Sequence, residues 1–88
     1  MMVIEKFEVA DGWLTIRLQD MPRSATVETT TVWVDNTRLA PPVEVSPLAY
    51  WAQTIKIAAP KQKGFILVSV RTDTGVAENA KSTEIYKP

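Results

Sequence analysis

The fold of this chain is decided by the stretch Phe65-Ile66-Leu67-Val68-Ser69-Val70-Arg71-Thr72, in which Ile66, Val68 and Val70 recur at every second position. A period of two places these three side chains on one side of an extended strand. The following Asp73-Thr74-Gly75 supplies turn-forming residues. This stretch therefore predicts a strand with one buried face that ends in a tight turn.

The same alternation recurs along the rest of the chain. In Trp13 to Gln19, the side chains of Leu14, Ile16 and Leu18 point one way and the polar side chains point the other. Connections rich in Gly, Pro, Asp and Asn separate the strands. The other predicted strands are Val3 to Val9 (with Val3, Phe7 and Val9 on one face), Val27 to Val34, Thr37 to Ala40, Val43 to Val45, Gln53 to Ala58, and one around Lys81 to Tyr86.

About seven short strands with short connections, and no segment long enough for a crossover helix, indicate an all-β fold. We expect an antiparallel β-sandwich, with a small β-barrel as the alternative. The 88 residues suffice for one core, so residues 1–88 are predicted to form a single domain.

Composition argues against several functions. Ten basic and ten acidic residues cancel and are spread along the chain, so nucleic acid is not an expected partner. No apolar stretch approaches the roughly 20 residues that span a bilayer. Without cysteine or histidine the chain lacks the commonest metal ligands and a thiolate nucleophile, and we expect no metal or cofactor. The charged amino end does not resemble a signal peptide, which leaves the compartment open between an internal protein and an excised surface domain.

Four segments carry a family resemblance: Thr30-Thr31-Val32-Trp33-Val34-Asp35-Asn36, Val45-Ser46-Pro47-Leu48-Ala49, Thr54-Ile55-Lys56-Ile57 and Ile66-Leu67-Val68-Ser69-Val70-Arg71. Their succession resembles the immunoglobulin-like sandwiches of fibronectin type III and related modules of microbial surface proteins. Tyr50-Trp51 stands where those modules have Pro-Gly. The resemblance implies an immunoglobulin-like sandwich that works as a spacer, adhesion module or assembly subunit rather than as an enzyme.

One motif suggests catalysis. Asp73-Thr74-Gly75 matches the catalytic triplet of aspartic proteases. However, Arg71-Thr72 precedes the aspartate where an apolar approach is expected, and strand-to-strand turns use Asp and Gly for steric reasons. The serines have no histidine to activate them. We therefore expect a non-catalytic protein, with a protease-like activity as the remote alternative.

Aromatic and aliphatic side chains on an outer sheet face suggest an interaction surface. If Ile66 and Val68 point inward, Phe65 and Leu67 point outward, and the same argument applied to the neighbouring strands places Trp33 and Tyr86 outward and Ile85 inward. Such a patch is typical of a protein-binding surface, for self-assembly or for another protein. The alternative is that these residues belong to the core, because a shift of one residue in register inverts every assignment.

Two further tryptophans are candidates for ligand contact. Trp13 follows Gly12 on the polar side of its strand, and Trp51 lies beside Tyr50 at the start of the Gln53 to Ala58 strand. We expect Tyr50 to cap the end of the sandwich with Leu48, and Trp51 to be more exposed. These aromatic rings support a second hypothesis, a module that binds carbohydrate or another ligand.

Overall fold

The computed structural model describes residues 2–21, 26–46, 52–75 and 77–88. The described residues form eight β-strands and no helix. The strands are β1 (Val3–Ala10), β2 (Trp13–Gln19), β3 (Val27–Val34), β4 (Thr37–Arg38), β5 (Glu44–Val45), β6 (Gln53–Ala58), β7 (Gly64–Thr72) and β8 (Ala77–Tyr86).

The strands form two antiparallel sheets that pack face to face. One sheet, called sheet A below, has the order β1-β2-β6-β5, and the other, sheet B, has the order β4-β3-β7-β8. Neighbouring strands in both sheets run antiparallel. The predicted all-β sandwich is therefore confirmed, with eight described strands where about seven were expected.

The core lies between the two sheets and follows the predicted alternation. Sheet A contributes Leu14, Ile16 and Leu18 from β2, and sheet B contributes Val32 from β3. Ile66, Val68 and Val70 of β7 are fully buried against them, as their spacing predicts. Burial of each such side chain stabilises the fold by about 1.5 to 3 kcal/mol, so β2 and β7 supply much of the stability.

The first strand departs from simple alternation at Glu5. Ile4 pairs with Leu18 and Lys6 pairs with Arg17, so Glu5 is an extra residue that forms a β-bulge. Ile4 and Phe7 pack against the core, whereas Val3 is 42% exposed. The prediction that Val3 shares the inner face of Phe7 is wrong, because the bulge changes which side each residue faces.

Two side chains of the last strand face the opposite sides from those predicted. Tyr86 is completely buried and Ile85 is 49% exposed, so the outward assignment of Tyr86 and the inward assignment of Ile85 are both wrong. The phenol of Tyr86 donates a 2.6 Å hydrogen bond to the carbonyl of Pro60, and its ring lies 6.4 Å from that of Phe7. The Tyr86 ring can be buried because its hydroxyl group has the carbonyl of Pro60 as a hydrogen-bond partner.

Candidate functional site

Two cross-strand pairs place four apolar side chains on the outer face of sheet B. Phe65 lies opposite Ile85, and Trp33 lies opposite Leu67. Phe65 and Ile85 are 39% and 49% exposed, while Trp33 and Leu67 are half-buried beside them. We call Trp33, Phe65, Leu67 and Ile85 the apolar face.

An aspartate fixes the backbone at Phe65. Asp35, directly after β3, donates its N–H to the carbonyl of Phe65, and its Oδ1 accepts the N–H of Phe65, both at 2.9 Å. Asp35 adopts a left-handed conformation with φ of 51°, which Asp tolerates better than most residues. Two hydrogen bonds to Asp35 thus hold the backbone of Phe65, the second residue of β7.

A second aspartate does the same at the opposite end of the β3–β7 pair. Asp73 donates its N–H to the carbonyl of Thr26 at 2.9 Å, and its Oδ1 accepts the N–H of Thr26 at 3.0 Å. Gly75 donates to the carbonyl of Thr72 and closes the turn. The Asp73-Thr74-Gly75 triplet therefore has a structural use that accounts for its aspartate and its glycine.

Two shallow grooves adjoin Phe65. One, of about 420 Å³, is lined by Lys63, Gly64, Ile85 and Lys87 together with Asp35 and Phe65. The other, of about 370 Å³, shares Asp35 and Phe65 and is completed by Asn36, Leu67 and Lys81. Both grooves are open to solvent and combine an apolar wall with a lysine ammonium group.

Several polar groups on the outer face of sheet A pair with one another. Arg17 donates a 2.8 Å hydrogen bond to Glu5, and Gln19 donates to the same carboxylate at 2.9 Å. The hydrogen bond from Gln19, followed by that from Arg17 and its charge, holds the pKa of Glu5 below its ordinary value. The ammonium nitrogen of Lys56 lies 4.8 Å from the centre of the Trp13 ring. One face of Trp13, a predicted ligand platform, is therefore covered by this cation.

Exposed edges on three strands, β1, β3 and β8, carry features that oppose pairing with another strand. Register shifts fall at Glu5 in β1, at Glu28 in β3 and at residues 82–84 in β8. At the register shift in β8, the backbone of Glu84 is hydrogen-bonded locally, since the Ser82 hydroxyl donates to the carbonyl of Glu84 and accepts its N–H. Bulges and charges at edges disfavour sheet extension.

Among the predicted interaction residues, the structure brings together Trp33, Phe65 and Leu67 and places Trp13 on the other sheet. Tyr86 belongs to the core, and Ile85 takes its place on the face. The prediction for Trp51, with those for Leu48 and Tyr50, lies outside the described residues. The outward orientation of Ile85 was missed because it follows from the pairing of Ile85 with Phe65. That pairing depends on a long-range register, which alternation within one strand does not determine.

Within the described part of the chain, no group of three or more His, Cys, Asp or Glu side chains could hold a metal ion. The same residues include no helix with the length and apolarity to cross a membrane. Comparisons with protein-family models, with curated proteins and with solved structures find no match for this chain.

Proposed function

We propose that this chain is a non-catalytic, immunoglobulin-like module that associates with another protein through the apolar face of sheet B. Association by burial of exposed side chains requires no cofactor and no reactive group. The observation that carries the proposal is the pairing of Phe65 with Ile85, two large apolar side chains that lie opposite one another and remain 39% and 49% exposed.

The sheet order supports the immunoglobulin-like part of the proposal. Immunoglobulin-like sandwiches place strands A, B, E and D in one sheet and C, F and G in the other, with an additional strand beside C in some members. Lettered in chain order, with β4 as that additional strand, the orders β1-β2-β6-β5 and β4-β3-β7-β8 correspond to A-B-E-D and C′-C-F-G. Folds of this kind host many functions, so the argument for association rests on the face itself.

The contrast between the two outer faces supports association through sheet B. On sheet A, Glu5 is paired with Arg17 and Lys56 covers Trp13. On sheet B, the outward side chains at the end of the sheet where β7 begins are aromatic or aliphatic, and exposed apolar clusters on small domains typically mark contact surfaces. Trp and Phe are among the residue types enriched at interfaces.

The bulged edges favour a face rather than an edge as the contact. Strand addition would need a regular row of free N–H and C=O groups. The shifts at Glu5, Glu28 and residues 82–84 interrupt that row on β1, on the part of β3 that β4 leaves uncovered, and on β8. A partner that docks on the apolar face avoids these obstacles.

The free energies of side-chain burial and of docking determine how much of the apolar face a partner must cover. Full burial of one large apolar side chain contributes about 1.5 to 3 kcal/mol, whereas docking costs about 4 to 15 kcal/mol. Phe65 and Ile85 alone would therefore give little net affinity. Trp33, Leu67 and polar contacts around them are needed for a stable complex.

The proposal is tested by selecting binders from a random peptide library displayed on phage, with the immobilised domain as bait. Binding of the selected peptides should fall at least about tenfold when the bait is the Phe65→Ser/Ile85→Ser double variant, since each 1.4 kcal/mol is a factor of ten. Trp33→Ser should have a similar effect. Sedimentation velocity of the domain over a wide concentration range tests self-association in parallel.

Val43→Ser is the matched control, because Val43 is 61% exposed but precedes β5 on the other sheet. Urea unfolding of all variants should show that Phe65→Ser and Ile85→Ser each lower stability by about 1 to 2 kcal/mol and leave the domain folded, because both side chains are only partly buried. Selected peptides that bind the double variant and the wild type equally, with a domain that sediments as a monomer at every concentration, would overturn the proposal.

A further inference from the structure

The charges of this chain are neutral in sum but unevenly placed. Ten basic and ten acidic residues give a net charge of zero. The fold nevertheless gathers four of the ten basic side chains around the apolar face. Arg38 lies opposite Trp33, and the two grooves add three lysines: Lys63, Lys81 and Lys87. We call these four residues the basic rim.

The basic rim is not neutralised within the described part of the chain. The ion pair found there joins Arg17 to Glu5 on the other sheet, and none of the four rim cations has an acidic partner in those residues. Asp35 is the acidic residue that lines both grooves, and its Oδ1 already accepts the N–H of Phe65. Glu84 lines a different cleft, between β1 and β8, with Ile4 and Phe7.

We infer that the partner of the apolar face is a protein surface with an apolar centre and an acidic rim, whose Asp or Glu side chains enter the two grooves beside Phe65. The inference rests on the proposed function and adds the chemistry of the partner. Each groove places an ammonium group beside an apolar wall: Lys63 and Lys87 with Ile85, and Lys81 with Leu67. A carboxylate beside an aliphatic or aromatic side chain complements both parts of this arrangement.

The same charges disfavour a second copy docked face to face. A two-fold contact through the apolar face would bring four cations toward four cations. Like charges juxtaposed at an interface cost several kcal/mol. An acidic partner instead gains attraction before contact, which raises the association rate at low salt.

The test uses the peptides selected with the displayed library and reads their composition. Peptides whose binding depends on Phe65 and Ile85 should contain an excess of Asp and Glu over Lys and Arg next to apolar residues. Their affinity should fall several-fold as salt rises from about 50 mM to about 500 mM, because rim charges are screened over roughly 10 Å at 0.1 M. Lys63→Glu or Lys87→Glu should weaken them by about tenfold.

Lys6→Glu makes the same change of charge on the outer face of the other sheet, beside Arg17, and should leave these affinities unchanged. Face-dependent peptides with no acidic excess, or peptides that bind Lys87→Glu as well as the wild type, would overturn the acidic partner while leaving the proposed function intact. A concentration-dependent dimer that the Phe65→Ser/Ile85→Ser double variant abolishes would also overturn it, in favour of a second copy. Peptides indifferent to the double variant, with a monomeric domain, would overturn both.

Discussion

Asp35 and Phe65 are joined by two reciprocal hydrogen bonds of 2.9 Å, one between their backbones and one from the Phe65 N–H to the Asp35 carboxylate. Asp73 and Thr26 repeat the arrangement at the other end of the same strand pair. The β3–β7 pair, at the centre of sheet B, is thus closed at both ends by an aspartate. This closure fixes the register that places Trp33 opposite Leu67, and it orients the backbone that carries Phe65.

The carboxylate of Asp35 is expected to stabilise the fold. Asp35→Ala should lower the free energy of unfolding by about 1 to 2 kcal/mol, because it removes a hydrogen bond and leaves alanine in a left-handed conformation. Asp35→Asn should lose less, since its side-chain oxygen accepts the same N–H and Asn tolerates this φ. Urea denaturation measures both variants.

Asp11→Ala is the matched control for Asp35→Ala. Asp11 is also exposed and left-handed, with φ of 54° against 51° for Asp35, but it follows β1 at a turn and accepts no such bond from the described residues. The difference between the two alanine variants therefore isolates the bond to Phe65. Equal losses of stability would show that the cost comes from the backbone conformation alone.

Gly64 is expected to tolerate no side chain while Asp35 is in place. A Cβ built on Gly64 would lie 2.5 Å from Asp35 Oδ2, whereas one built on Gly75 meets nothing within 4 Å. Gly64→Ala should therefore displace the carboxylate and destabilise the domain more than Gly75→Ala, which suffers only the cost of its positive φ of 80°.

A double-mutant cycle tests this contact by urea denaturation. In the Asp35→Ala background, Gly64→Ala should cost less than in the wild type, with a coupling of at least about 0.5 kcal/mol, because the clash is already removed. Additive effects would mean that the cost of Gly64→Ala comes from the backbone conformation of Gly64, with φ of 157°, and not from its contact with Asp35.

The sequence predicts those parts of the sandwich that depend on the pattern within a single strand. Alternation in Trp13 to Gln19 and in Phe65 to Thr72 identifies the inner faces of β2 and β7, because one buried face imposes a period of two. It fails where register depends on another strand. The bulge at Glu5 turns Val3 outward. The apolar character of Ile85 predicts that it is buried, but Tyr86 is buried instead, with its phenol hydrogen-bonded to Pro60.

The candidate site is predictable only in part for the same reason. The outward orientation of Phe65 follows from its own strand and is confirmed by its exposure of 39%. The basic rim does not follow from the sequence, because its members are scattered from Arg38 to Lys87 and only the strand order brings them together. The bond between Asp35 and Phe65 spans 30 residues, beyond the reach of local turn chemistry.

The contact of Lys56 with Trp13 is expected to contribute modestly to stability. Lys56→Met keeps much of the aliphatic stem but removes the charge over the ring, so it should cost about 0.5 to 1 kcal/mol, the usual range for an exposed cation–π pair. The ¹⁹F resonance of 5-fluorotryptophan at Trp13, assigned with Trp13→Phe, should shift in Lys56→Met. Lys6→Met, on the same sheet face but opposite Arg17, should shift it little. An unchanged Trp13 resonance in Lys56→Met would contradict the contact.

The buried phenol of Tyr86 should make stability depend on alkaline pH. Burial raises the pKa of Tyr86 above its ordinary value of 10.0, so folding favours the protonated phenol. A group whose pKa is raised by folding contributes fully below its unfolded pKa, and its contribution is lost as pH rises through the folded value. The wild type should therefore lose stability above about pH 10 through this group.

Tyr86→Phe isolates that effect, because lysine titration is common to both proteins and the chain has no cysteine or histidine. At pH 7 the variant should be about 1 kcal/mol less stable than the wild type, since the carbonyl of Pro60 loses its donor. The gap should narrow as pH rises past about 10, where the unfolded wild type gains a favourable ionisation that the variant lacks. Urea unfolding at intervals between about pH 7 and pH 11 measures the gap, and a gap that stays constant would show that the Tyr86 phenol titrates in the folded domain as it does in the unfolded chain.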